Sequence, residues 1–178
     1  MEGDTKGVTA VSGKTVTISA SGNYLVDGTI TDGQILIAVP DITADANSVD
    51  LYLQDVTMTS TAGTPCILAQ SADKVKLTCG GTTTLTDTAA TANLETSGVI
   101  YADCDLTVTK NSTGTLQINS SMNNAMYSKD DIKLNGGTIV VNTDADTTSD
   151  ADAIRANNTI TVAVSYTHLR AHETAANL

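Results

Sequence analysis

The chain contains no Phe and no Trp, only two Pro and only five Tyr among 178 residues. A hydrophobic core must therefore be assembled from Val, Ile, Leu, Ala and Met. Only 9 residues are Lys or Arg against 20 Asp or Glu, a net charge of -11. Without a basic stripe to displace counterions from phosphates, nucleic acid is excluded as a partner. No run approaches the roughly 20 apolar residues that a membrane-spanning helix needs. Both histidines, His168 and His172, fall in the last fifteen residues, so the rest of the chain can form no Ser-His-Asp or Cys-His set.

What is abundant is Thr, about one residue in six. β-branched side chains suit a pleated surface better than a helix, so the class expected is all-β. Strict alternation in Val16-Thr17-Ile18 and in Gln34-Ile35-Leu36-Ile37-Ala38-Val39 marks half-buried strands.

Residues 164–178 break this composition. The peptide running from Val164-Ser165-Tyr166-Thr167 to Glu173-Thr174 resembles a translated sequencing adaptor, and it is expected to be a non-native tail. On that reading the natural protein is truncated near Ala163. Residues 1–13 read as a lead-in; Met1 to Asp4 bring neither the basic nor the apolar region of a signal peptide.

Between these ends an apolar-x-apolar step recurs, as Val49-Asp50-Leu51, Val75-Lys76-Leu77, Leu106-Thr107-Val108, Ile132-Lys133-Leu134 and Ile160-Thr161-Val162. A second strand follows each of the first four, around Met58, Leu85, Ile118 and Val141. A third closes each of those units, around Ile67, Ile100, Met126 and Ile154. Three short strands per turn of about 25 to 30 residues predict a single-domain right-handed parallel β-helix over residues 14–163. Gly80-Gly81 and Gly136-Gly137 fall where its corners are expected.

Gly22-Asn23-Tyr24-Leu25-Val26-Asp27-Gly28-Thr29-Ile30, followed by Asp32-Gly33-Gln34-Ile35-Leu36-Ile37, resembles the opening coil of a family of secreted bacterial carbohydrate-binding β-helix domains, distant relatives of pectate lyases. Residues 49–60 and 127–139 are similar to its inner coils, and Asp152-Ala153-Ile154-Arg155-Ala156 resembles its Asp-Gly-Ile-Lys step, with Ala153 in the glycine's place. The resemblance implies an extracellular or cell-surface protein that binds plant cell-wall polysaccharide of the cellulose or pectin type, with bound calcium.

Two groups of residues are candidates for the site. Asp103, Asp130, Asp131, Asp150 and Asp152 crowd the late coils together with Asp105, Asp144 and Asp146. Closely spaced carboxylates can supply the hard oxygens that calcium requires, and matching points on adjacent coils lie only about 5 Å apart. Either a cation or Lys129 and Lys133 must neutralise such a ladder; solvated corner aspartates are the plainer reading. The Asp144 to Asp152 run lacks the glycine and glutamate of an EF-hand loop. Tyr101 and Tyr127 occupy one register of consecutive third strands, next to Arg155. Alternation points both rings outward as a platform for a sugar, with Arg155 suited to a uronate carboxylate; ordinary stacking between coils is the alternative. Tyr24 and Tyr52 read as packing residues.

Cys66, Cys79 and Cys104 lack metal or redox spacing, and Cys79 reads as a buried apolar residue. The reading reached is a monomeric, non-catalytic polysaccharide-binding solenoid. A structural or adhesin-like spacer and a pectate-lyase-like enzyme stand as alternatives.

Overall fold

The computed structural model describes residues 8–12, 14–93, 95–144, 151–163 and 166–171. These contain strands and no helix. In chain order they are β1 (Val8–Ser12), β2 (Thr15–Ile18), β3 (Gly22–Thr31), β4 (Gln34–Ala38), β5 (Ser48–Ser60) and β6 (Ile67–Ser71). Next come β7 (Lys74–Cys79), β8 (Thr82–Asp87), β9 (Ile100–Ala102), β10 (Asp105–Val108), β11 (Thr115–Ser120) and β12 (Met126–Ser128). The last are β13 (Ile132–Leu134), β14 (Thr138–Thr143), β15 (Ile154–Ala156), β16 (Ile160–Val162) and β17 (Tyr166–Ala171).

The chain winds as a parallel β-solenoid with three faces. Face A stacks β2, β4, β6, β9, β12 and β15; face B stacks the first halves of β3 and β5 with β7, β10, β13 and β16. Face C stacks the second halves of β3 and β5 with β8, β11, β14 and β17. Because β3 and β5 run unbroken through the corner between B and C, those two faces form one ten-stranded sheet. Pairing is parallel throughout except for β1, which lies antiparallel on β2 and covers the first edge of face A.

The register agrees with the repeats read from sequence. Val49, Val75, Leu106, Ile132 and Ile160 form one column on face B. Met58, Leu85, Ile118 and Val141 form another on face C, and Ile67, Ile100, Met126 and Ile154 a third on face A. Inside the stack these side chains are at most 3% exposed. In the last coil burial fails, with Ile160 43% and Val162 51% exposed, because no further coil among the described residues lies against them. A coil cannot bury its inward side chains alone, so stacking rather than local propensity holds each one.

The corner between faces B and C needs glycine. Gly81, Gly114 and Gly137 immediately precede three threonines in mutual register, Thr82, Thr115 and Thr138. A Cβ on Gly114 would overlap the Gly81 carbonyl of the coil below, and Gly137 has φ +74°. Sequence reading found the two Gly-Gly pairs but missed Gly114, whose only signal is the Gly-Thr step it shares with its neighbours.

The corner from C to A carries buried polar groups that sequence patterning did not single out. Ser60, Asp87, Ser120 and Thr143 share one inward column and are at most 3% exposed. Asp87 accepts hydrogen bonds from the Ala89 amide at 2.9 Å and the Asn123 side chain at 2.7 Å. The Asn123 side-chain Oδ1 in turn accepts from the Asn93 amide at 2.7 Å, tying down the long loop before β9. Partners of this kind offset the cost of burying polar atoms.

The segment resembling adaptor sequence is expected to lie outside the fold. The backbone of Tyr166–Ala171 pairs with β14 as the face C strand of the last coil. A free parallel edge accepts any short extended segment, whatever its origin.

Candidate functional site

Face A carries an outward column in which Leu36, Leu68, Tyr101, Tyr127 and Arg155 follow one another in register. Sequence alternation placed Tyr101, Tyr127 and Arg155 side by side, as the register has them. The expected two-ring platform is not formed. Tyr101 is 2% exposed, and its ring meets Tyr127 edge to face, with centroids 5.3 Å apart and planes at 89°. Edge-to-face contact is the favourable arrangement of two ring quadrupoles, but it offers a sugar no continuous flat surface.

Each ring also carries a cation. The Lys129 ammonium lies 5.7 Å from the Tyr101 centroid, and the Arg155 guanidinium 5.0 Å from that of Tyr127. Such contacts are worth about 0.5–1 kcal/mol at exposed sites. Burial pushes the Tyr101 phenol above its ordinary pKa. Hydrogen bonding to Asp103, then to Tyr101, holds the Lys129 ammonium well above the usual range. The Tyr127 hydroxyl donates to Asn157 at 3.2 Å. Within the column itself, Arg155 is the exposed residue.

The acidic residues divide among three places. Asp103 pairs with Lys129, one coil on, at 2.8 Å. Asp130 and Asp131 sit at the corner between faces A and B, where their carboxylates and that of Asp105 come within 4.8 Å of one another. Asp152 lies at the opposite end of face A, exposed, with its amide donating to Asn124 at 2.7 Å. The 5 Å stacking of matching points does not bring Asp152 to Asp103 and Asp130, because Asp152 precedes its face A strand whereas the others follow theirs. Asp150 and Asp146 lie outside the described residues.

The Asp105, Asp130 and Asp131 group does not fit calcium while Lys133 keeps its place. The Lys133 ammonium stands 3.2 Å from Asp131 and 3.5 Å from Asp105. Asp130 accepts from the Asn158 side chain, and Asp131 from the Thr159 amide at 3.1 Å. Calcium seeks six to eight oxygens, and these oxygens already serve an ammonium and the next coil.

Face C differs from the rest of this acidic molecule. Its outward positions on β3, β5, β8, β11 and β14 form three columns. One runs Thr82, Thr115, Thr138; one Thr29, Thr57, Thr84, Gln117, Val140; and one Thr31, Thr59, Thr86, Asn119, Asn142. Twelve of these thirteen residues are Thr, Asn or Gln, and none is charged. The Asn142 side chain donates to Asn119 at 2.9 Å, and the Asn119 side chain to Thr86 at 3.2 Å, which fixes the amides in a row. The abundance of Thr was visible in sequence; its concentration on one face was not.

All three cysteines are buried and free. Burial pushes the thiols of Cys66 and Cys104 up to about 12 and that of Cys79 up to about 11. They are core residues without nucleophilic character at neutral pH.

Among known proteins, the sequence model of a family described as "Carbohydrate-binding domain-containing protein" matches residues 12–176. A protein of the same description from Acetivibrio thermocellus is 35% identical over 139 residues, 74% of this chain and 46% of the relative. The chain thus spans about half the length of the curated relative it matches. No solved structure matches it. Given the length of the family match, which takes in every complete coil of the solenoid, the chain belongs to the carbohydrate-binding domain-containing protein family.

Proposed function

We propose that this chain is a non-catalytic polysaccharide-binding module that takes a neutral glycan of the cellulose type along face C, parallel to the solenoid axis. The observation that carries this reading is the uncharged array of Thr, Asn and Gln on one face of a protein of net charge -11. Strands in a sheet are spaced about 4.8 Å apart, so alternate coils repeat every ~9.6 Å. That spacing suits a ribbon glycan in which every second sugar presents the same edge. Thr offers a hydroxyl for the sugar hydroxyls and a methyl for the sugar C–H face. Each hydrogen bond contributes only about 1 kcal/mol net, so affinity comes from summing weak contacts along the chain.

A second reading rests on Arg155. Its exposed guanidinium, stacked on Tyr127, suits the carboxylate of a pectin-type uronate on face A. Neither reading requires chemistry. A lyase needs a base beside its cation, whereas Arg155 is stacked on a ring and the corner carboxylates are engaged by Lys133, Asn158 and Thr159. The reading places the protein outside the cell, where such polymers are met, acting as a monomer.

The test is retention of the folded chain on insoluble cellulose and on immobilised polygalacturonate, with Thr84→Glu and Arg155→Ala as variants. Retention on cellulose that is lost in Thr84→Glu supports face C. Retention on polygalacturonate that is lost in Arg155→Ala supports face A. No retention on either glycan shifts the reading to a structural spacer.

A further inference from the structure

Asn135 stands at the corner between β13 and β14 and is the only asparagine of the chain that a glycine follows. Asn135 and Gly136 are both partly exposed, so water reaches them. Two groups at this corner are without a hydrogen bond among the described residues, the Asn135 side chain and the Gly136 amide. The amides nearby are engaged, that of Asn135 by the Val108 carbonyl at 2.9 Å and that of Thr138 by the Gly114 carbonyl at 3.0 Å. Elsewhere one group or the other is tied down. The side-chain amides of Asn119, Asn123 and Asn124 donate to Thr86, Asp87 and Ser97. After the exposed Asn111, the Ser112 amide donates to the Thr109 carbonyl at 3.1 Å. Asp32 also precedes a glycine, but its carboxylate is held by the Thr61 amide and hydroxyl.

We infer that Asn135 is a site of spontaneous deamidation, and that the product loosens the last coil. The Gly136 amide nitrogen attacks Asn135 Cγ, and glycine brings no Cβ to shield that nitrogen. The N–Cγ bond forms, the Cγ–Nδ2 bond breaks, and ammonia leaves with the proton of the Gly136 amide, giving a cyclic imide. Water then opens the ring. Opening at Cγ restores the ordinary peptide with an aspartate in place of asparagine; opening at the main-chain carbonyl leaves the peptide running through Cγ, one carbon longer. The corner has no room for that carbon, since a Cβ on Gly136 would already lie 2.6 Å from the Thr109 carbonyl oxygen and 2.8 Å from the Lys110 Cα of the preceding coil. β14 begins two residues after Gly136 and is held in register on β11, with Asn142 donating to Asn119 at 2.9 Å. A longer link shifts β14 against β11, and stacking is what holds each coil. Asn135 lies at a corner, outside the columns of faces A and C, so the inference is independent of the glycan reading.

Ageing the folded full chain in mildly alkaline buffer, followed by peptide mapping with mass spectrometry, tests the inference. Asn135 is expected to turn from amide to acid with release of ammonia, while Asn111 in the same sample stays an amide. Two acidic products should separate, and an isoaspartyl methyltransferase should label one of them. The rate should rise with pH, because the deprotonated amide nitrogen is the attacking species. The aged chain should melt below freshly made Asn135→Asp, which carries the charge without the extra carbon, and Asn135→Gln should keep its Tm over the same period. An Asn135 that remains an amide in the folded chain, or acid appearing equally at Asn111, would overturn the site. An aged chain that melts with Asn135→Asp would overturn the loosening of the last coil.

Discussion

Lys129 holds its ammonium 2.8 Å from the carboxylate of Asp103, one coil earlier at the same corner. Two coils that would otherwise stack like charges are thereby joined by opposite ones. Lys133 does the same for Asp105 and Asp131. The solenoid supplies its own counter-ions at this corner.

Chelation of divalent cations should accordingly leave the Tm of the parent chain unchanged. Lys133→Met removes the ammonium shared by Asp105 and Asp131, lowers Tm, and makes Tm rise on addition of calcium. A fall in the parent's Tm with chelator would show that an ion is bound despite Lys133. Lys129→Met should matter less, because Lys129 pairs with one carboxylate and Lys133 with two, and a single part-exposed ion pair contributes little.

Ile132 and Ile160 occupy the same column, at 0% and 43% exposure. Ile132→Ala should cost about 2–5 kcal/mol, as large-to-small changes in a packed core do. Ile160→Ala should cost under about 1 kcal/mol, since much of that side chain already meets water. Urea unfolding of the two variants decides; equal losses would mean that the last coil is covered in solution.

Gly114→Ala should destabilise by about 1–3 kcal/mol or prevent folding, since overpacking against backbone has no flexible side chain to yield. Thr113→Ala, one residue away and exposed, should be near neutral in the same thermal melt.

Stability should fall with acid. Asp32 is held below its ordinary pKa of 3.8 by the Thr61 hydroxyl and amide, Asp41 by Thr43 and Ala44, Asp45 by Ser21, and Asp55 by the Thr82 amide and Gln54. A carboxylate with a depressed folded pKa contributes stability above the unfolded value and loses it as pH drops through the folded one. Tm should therefore decline below about pH 4, and less steeply in Asp32→Asn. A flat profile through that range would contradict these bonds.

Much of the architecture was legible because parallel stacking repeats one pattern. The step from Val49 to Val75 to Leu106 to Ile132 shows its period directly, and each coil must bury the same inward positions. The site was legible only in part. Alternation sends Tyr101 and Tyr127 to the same side, but it carries no information on ring angle or on what covers them. Corner residues were harder still, since Asp103, Asp130 and Asp152 look equivalent in sequence while the winding puts Asp152 at the far end of face A.

By itself, then, the sequence determined the class, the three-strand period and the aliphatic columns, because β-branched alternation and repeat length act locally and recur. Only the tertiary structure decided that Lys133 sits among the carboxylates and that Thr gathers on one uncharged face. Each of these depends on register between coils about 25 to 30 residues apart, and loop length sets that register where no local pattern records it.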